Sequence, residues 1–406
     1  LYLTLSLITC REPGRRMTRS LLTLGLVVTI ALLTAGAMLM PFAEYLMHSV
    51  AFATRSAGVI TQGWLDPVLA LTLLMPNLFG NSARFNYWYP GFNTAETAGG
   101  FCGAVTVMMG LAAVLLLWKK PLVRNHAILA LLSGLTAFGV PPVYHLVSRI
   151  PGFRMSYNFR LVIILAFSMI VLASTLLNER TVRSLPRSRW TIRITALTLA
   201  AICLLSAPFI SGFAGRRALT DPFSTATAAA LFLLAGAVVL TATAGRLHSA
   251  AGTLLILLTA SELLLTGAGF NPETDAAFPS KWPLSRAFIR SPEHGEPFRV
   301  LPIGKTYPPH LCALMNMHDI RGNDALTPRL TEDVAACIDP GIRDPLMLPA
   351  LRMMWINRWQ SPLLDALNVR YVLFPAPELD AIPDSLIPVR TSGGVHIFRN
   401  PDCLPR

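Results

Sequence analysis

The chain has 406 residues, of which only 14% are charged and 53% hydrophobic, with a mean hydropathy of +0.52 and a net charge of +12. Soluble domains carry about 25% charged residues, so an ordinary soluble protein is excluded. The basic residues sit between apolar runs with no aromatic-basic motif beside them, which argues against nucleic acid and for the loop charges of a membrane protein.

Leu1–Thr9 reads as the tail of a span, followed by Arg11, Arg15, Arg16 and Arg19. The chain opens inside an apolar run without an initiator Met, so it is read as a fragment whose earlier spans precede it, and whether it continues past Arg406 is left open. A full span is expected from about residue 20 to 42, since ~20 apolar residues cross a ~30 Å hydrocarbon core. A long loop follows, 44–98. Within it Pro67–Met75 is too short to cross and reads as a re-entrant or interfacial helix near 67–76. Phe85-Asn86-Tyr87-Trp88-Tyr89-Pro90-Gly91-Phe92 has the aromatic richness of a membrane-interface belt.

Further spans are expected at about 97–118, 126–146, 159–177, 194–211, 226–244 and 250–268, giving some seven full spans and a partial first one. Pro141-Pro142 should break the 126–146 span early. Lys119, Lys120 and Arg124, then Arg180, Arg183, Arg187, Arg189 and Arg193, then Arg246 crowd the short alternate loops. The positive-inside rule puts these loops in the cytoplasm and the 44–98 loop and the tail outside. Residues 1–269 are therefore expected to form a mostly α polytopic bundle, and 270–406 an extracytoplasmic mixed α/β domain. In that tail Phe298–Leu301, Val369–Phe374 and Val395–Phe398 read as strands, and Ser361–Asn368 as a short helix with Ser361 capping it.

The six cysteines form no CxxC pair. A Cys312–Cys337 disulfide is one option in an oxidising compartment; His310-x-Cys312 with His318 lacks the second ligand pair of a zinc site. No metal site or cofactor is identified, and no P-loop, dinucleotide fingerprint or GxSxG elbow is present. Glu44 stands where an outward span leaves the membrane, with Ser49 and Arg55 shortly after. It is either an interfacial carboxylate in headgroup water or a group lining a functional cavity. Arg154 and Arg160 precede the next span on the outer side. They are either snorkelling anchors or a pair of guanidinium forks suited to a lipid phosphate.

Taken together, Pro41-x-x-Glu44, Ser49, Arg55, Tyr89-Pro90-Gly91 and Pro151-Gly152-Phe153-Arg154 resemble the bacterial YfhO-type membrane proteins. Three tail segments strengthen the likeness: Asp319-Ile320-Arg321-Gly322-Asn323-Asp324-Ala325-Leu326, Leu364–Leu373 around Leu367-Asn368-Val369-Arg370-Tyr371, and Val395–Arg406 with its Asn400-Pro401 and Leu404-Pro405-Arg406. Asn323 stands where the family has an aromatic residue. The resemblance implies a GT-C-like glycosyltransferase of the plasma membrane. Such an enzyme takes a sugar from a polyprenyl-phosphate donor and adds it to a cell-envelope polymer on the outer face. Its catalytic carboxylate is expected in a first outer loop upstream of Leu1, with Glu44, Arg55, Arg154 and Arg160 as candidates for contact with substrate and lipid phosphate. A divalent metal is compatible with the family but has no ligand set here. A transporter of lipid-linked substrate and a non-catalytic envelope assembly protein are the rival readings. The tail motifs read as structural, with Arg321 and Asp324 expected to pair.

Overall fold

The computed structural model describes residues 14–56, 63–81, 86–89, 100–150, 152–179, 186–214, 222–242, 248–268, 297–304, 306, 307, 309, 312, 317–322, 324, 326–343, 354–375, 385–392 and 394–405. In chain order the helices are α1 (Gly14–Met47), α2 (Val50–Ser56), α3 (Ala104–Leu117), α4 (Pro121–Ala137), α5 (Val143–Val147), α6 (Val162–Asn178), α7 (Pro186–Ala214), α8 (Pro222–Ala242), α9 (His248–Gly267), α10 (Arg329–Ile338) and α11 (Leu363–Ala366). The strands are β1 (Arg299–Pro302), β2 (His318–Asp319), β3 (Val369–Pro375), β4 (Ile387–Ser392) and β5 (Val395–Arg399). The chain divides into two compact units. One takes residues 1–28 and 60–273, the other 29–59 and 274–406, so the boundary falls inside α1.

The first unit is helical. Pro121, Pro186 and Pro222 open α4, α7 and α8, where a missing N–H costs nothing. α3 packs on α6 and α7, α4 on α6, and α7 on α8. Small side chains let the backbones approach: Gly110 of α3 lies against Met169 and Leu172 of α6, and Gly236 of α8 against Val105 and Met108. Ala196, Ala200, Cys203 and Ala207 of α7 are buried, as are Ala226, Ala229, Ala230 and Ala237 of α8, while Leu197, Leu205, Phe209, Leu231 and Val238 are exposed. Ile192, Leu199, Ile210 and Leu233 are buried with the alanines, and the exposed leucines give the helix pair an apolar outer face.

Among the described residues, four helical stretches are long and apolar enough to cross a membrane: 21–47, 158–178, 186–211 and 222–241. Three of the expected spans are shorter. α3 starts only at Ala104, behind Gly103 at φ +96°, and runs 14 residues. α4 stops at Ala137 after 17 residues, because Gly139 at φ +65° turns the chain. There Gly139 N–H donates to Thr136 O and Val140 N–H to Leu135 O, the two bonds of a Schellman stop. The apolar part of α9 is 252–267. Pro67–Leu73 forms a 3-10 helix, with Leu69, Met75, Leu78 and Phe79 in the bundle's apolar core.

The second unit is built on a five-stranded sheet, order β2-β1-β3-β5-β4. β1 pairs in parallel with β2 and β3, while β5 runs antiparallel to β3 and β4. Both faces are covered. Val300, Tyr371, Leu373, Val395 and Ile397 pack with Tyr307, Cys312 and Met317 on one side. Leu301, Val372, Phe374 and Phe398 pack with Ala335, Ile338, Met354, Ile356 and Leu364 on the other. β4 carries Pro388 and lies at the sheet edge, where a missing donor is tolerated.

The end of α1 belongs to this unit. Ser49 bridges Pro328, Val50 N–H donates to Thr327 O at 2.9 Å and Arg329 N–H to His48 O at 3.0 Å. Ser49 Oγ also accepts from Phe52 N–H at 3.1 Å, which caps α2.

Candidate functional site

At one end of the first unit, residues 63–66 form a strap across the bundle. Leu65 N–H donates to Ala137 O at 2.8 Å, and Phe159 N–H donates to Gly63 O at 3.1 Å. The strap therefore ties the end of α4 to the start of α6. The indole of Trp64 packs against Gly139, which tolerates it because it carries no Cβ. The same indole meets Tyr144 edge-on, with 4.8 Å between ring centroids.

Beside the strap, Tyr89 OH donates to Asp66 Oδ2 at 2.9 Å. Burial first, and then the bond to and charge of Asp66, push the Tyr89 phenol up to about 12. Phe79 lies 5.1 Å from Tyr89 and 5.4 Å from Trp88, and Trp88 Nε1 donates to Leu78 O. Within the expected aromatic belt, Trp88 is buried in the bundle's apolar core. Phe85 and Pro90–Phe92 lie outside the described residues.

Arg154 and Arg160 stand at this same end, on 3-10 turns at Phe153–Met155 and Asn158–Leu161 that lead into α6. Asn158 Nδ2 donates to Phe153 O at 3.1 Å and locks the two turns together. Phe159 is buried in the core, and the exposed Arg160 guanidinium lies 5.8 Å from its ring centroid. Arg154 is exposed. Asn158 Oδ1 is buried without a donor among the described residues. The structure brings these two arginines onto one segment.

Glu44 and Arg55 belong to the second unit. Glu44 is exposed near the end of α1, and Arg55 is half-buried in the last turn of α2. Its neighbour Tyr45 donates to Asp324 Oδ2 at 3.1 Å, so the sequence around Glu44 and the Asp319–Leu326 segment meet in one unit.

The expected Arg321–Asp324 pair does not form. Arg321 is bound by Asp319, Nε to Oδ1 at 3.1 Å and a terminal NH2 to Oδ2 at 2.8 Å, and also donates to Tyr307 O at 2.6 Å. Asp324 instead accepts from Leu326 N–H at 3.0 Å. The reason is geometric: the Asp319 carboxylate, two residues away, also accepts Arg321 N–H at 2.8 Å, which folds it back onto the guanidinium. Cys312 and Cys337 are both free, the first buried and the second exposed. Burial, and then the charge of Asp319, push the Cys312 thiol up. Among the described residues no group of three His, Cys, Asp or Glu is placed to hold a metal ion; His310 lies outside them.

The other two tail motifs interlock. Asn368 sits at φ +59° between α11 and β3 and donates from Nδ2 to Leu404 O at 2.7 Å. Asn400 Nδ2 donates to Asp365 Oδ1 at 2.7 Å and to Val369 O at 3.1 Å.

One buried carboxylate has no counterpart among the sequence-derived candidates. Glu262, within α9, accepts Ala104 N–H at 2.7 Å and Val105 N–H at 3.5 Å. It supplies the cap that Gly103 cannot, using the free donors and positive end of α3. The signal was available, because an acid inside an apolar run is rare and has a stated partner.

No family, curated protein or solved structure matches this chain.

Proposed function

We propose that this chain is part of a multi-pass protein of the bacterial plasma membrane, with the sheet unit on the outer side. In this reading its bundle engages a polyprenyl-phosphate-linked sugar. The whole protein works as a GT-C-like glycosyltransferase that adds the sugar to a cell-envelope polymer. Three sequence segments of the tail and three within residues 1–269 support the family. The observation that carries the chemistry is the placing of Arg154 and Arg160, both exposed, on adjacent turns at the start of α6.

A phosphate held there meets two guanidinium forks and the positive end of a 17-residue helix. Inverting transfer needs a carboxylate to deprotonate the acceptor hydroxyl and cations to stabilise the departing lipid phosphate. The arginines fill the second role. Asp66 and Glu262 are engaged in holding Tyr89 and α3, so neither is assigned the first. Glu44 and Arg55, in the second unit, stay candidates for contact with substrate and lipid phosphate, and the catalytic carboxylate is not assigned.

In the intact protein, Arg154→Ala and Arg160→Ala should each slow sugar transfer roughly ten- to a hundred-fold while membrane insertion is unchanged, since a charge-assisted hydrogen bond contributes about 1.5–3 kcal/mol. Arg160→Lys should restore only part, because an ammonium lacks the fork. Normal envelope glycosylation in both alanine variants would reduce these arginines to anchors and overturn the reading.

A further inference from the structure

A groove of about 270 Å³ opens between α7 and α8, on the outer surface of their contact. Its walls are Leu197 of α7 and Leu234, Ala237 and Val238 of α8, and its polar end is Arg193 with Thr241. From Thr241 to Leu234 it runs ~10 Å along the helix at 1.5 Å per residue. Leu197 and Val238 are 58% and 62% exposed, so the walls face whatever surrounds the bundle. Both helices are among those long and apolar enough to cross a membrane.

The charged end is organised. Thr241 Oγ1 donates to Ala237 O at 2.7 Å and accepts from Arg193 Nε at 3.3 Å, which fixes the guanidinium at the mouth. One turn earlier on the same face of α7 is Arg189. Its Nε is buried and finds no acceptor among the described residues. None of the lining residues is acidic. Trp190, 63% exposed beside this pair, is the residue type that favours the headgroup layer.

We infer that this groove is a binding site for an anionic membrane phospholipid, with an acyl chain along Leu197, Leu234 and Val238 and the phosphate on Arg193 and Arg189. A soluble phosphate would satisfy the arginines but leave the apolar walls unmatched. A neutral lipid would fill the walls but leave the excess positive charge of the arginine pair unanswered. Basic pockets between membrane helices take anionic headgroups for this reason. The site uses none of the residues assigned to sugar transfer and stands independently of that assignment.

The test is native mass spectrometry of the full chain released from detergent with phosphatidylglycerol, phosphatidylcholine or inorganic phosphate. Phosphatidylglycerol should be retained as a bound adduct and the other two should not. At about five-fold per arginine, Arg189→Ala with Arg193→Ala should weaken phosphatidylglycerol retention roughly 25-fold. Arg193→Gln keeps a donor for Thr241 while removing the charge, and should weaken it about five-fold, so the result stands even if the double variant fails to fold. Equal retention of the two lipids would overturn the inference, as would an adduct with phosphate alone or unchanged binding in Arg193→Gln. A dimer that excludes lipid would assign the groove to a second copy and overturn it too.

Discussion

Helices α7 and α8 and the five-stranded sheet differ in what they leave outside. In α7 and α8, Ala196, Ala200, Ala207, Ala226, Ala229 and Ala230 are inside together with Ile192, Leu199, Ile210 and Leu233, while Leu197, Leu204, Leu205, Phe209 and Leu231 are outside. In the sheet unit the large side chains are inside: Phe374 meets Phe398 at 5.4 Å and Trp359 at 5.0 Å, and both faces of the sheet are covered. The exposed leucines give helices long and apolar enough to cross a membrane an apolar outer face, and between such helices the close approach of small residues and a few hydrogen bonds contribute to the contact. The sheet gains from removing Phe, Leu and Val from water. Among the described residues each unit carries a buried carboxylate with dedicated partners, Glu262 on the amides of α3 and Asp319 on Arg321, and these test the difference between the units.

The largest effect is expected in the sheet unit. Arg321→Ala leaves the Asp319 carboxylate buried without its partner, which costs about 3–5 kcal/mol, whereas replacing both residues by apolar ones of similar volume should cost far less. Chemical denaturation of the purified protein, followed by the fluorescence of Trp355 and Trp359, checks this. Equal loss in the single and double variants would mean that the pair contributes through shape rather than charge.

A smaller effect is expected in the bundle. Glu262→Ala removes the acceptor of two amide donors at the start of α3 and should cost about 1–3 kcal/mol. Glu262→Gln keeps a carbonyl acceptor and should recover most of it. Thermal unfolding in detergent reads both, and a Gln variant as weak as Ala would show that the charge, rather than the hydrogen bond, secures α3.

The smallest effect is a pH dependence. Tyr89, pushed up to about 12 by burial and then by Asp66, holds its proton to higher pH in the folded protein than an ordinary phenol with a pKa near 10. The folded state binds more protons between those values, so its contribution is complete below about pH 10 and is lost as pH rises toward 12. Tyr89→Phe should remove that alkaline loss when stability is compared at pH 9 and pH 11. An unchanged slope would place the sensitivity elsewhere.

Much of this architecture is written locally in the chain. The apolar runs of α1, α6, α7 and α8, the strands around Val300, Tyr371 and Ile397, and the early break near Pro141 follow from period, length and turn chemistry. Those properties act within a few residues of sequence. Each of the tail motifs is a short contiguous run, yet the bonds it makes reach far along the chain. Asp365 with Asn400, and Asn368 with Leu404, are pairings over 35 and 36 residues. The same holds for Tyr45 with Asp324 and Glu262 with Ala104. Only the packed chain decided that Trp88 and the Pro67–Leu73 helix would be core, that Arg321 would take Asp319 in place of Asp324, and that the end of α1 would join the sheet unit. The physical reason is that composition and periodicity fix which residues leave water or enter helices. Which buried donor finds which acceptor depends on segments brought together from far apart, and a one-dimensional pattern carries no distance between them.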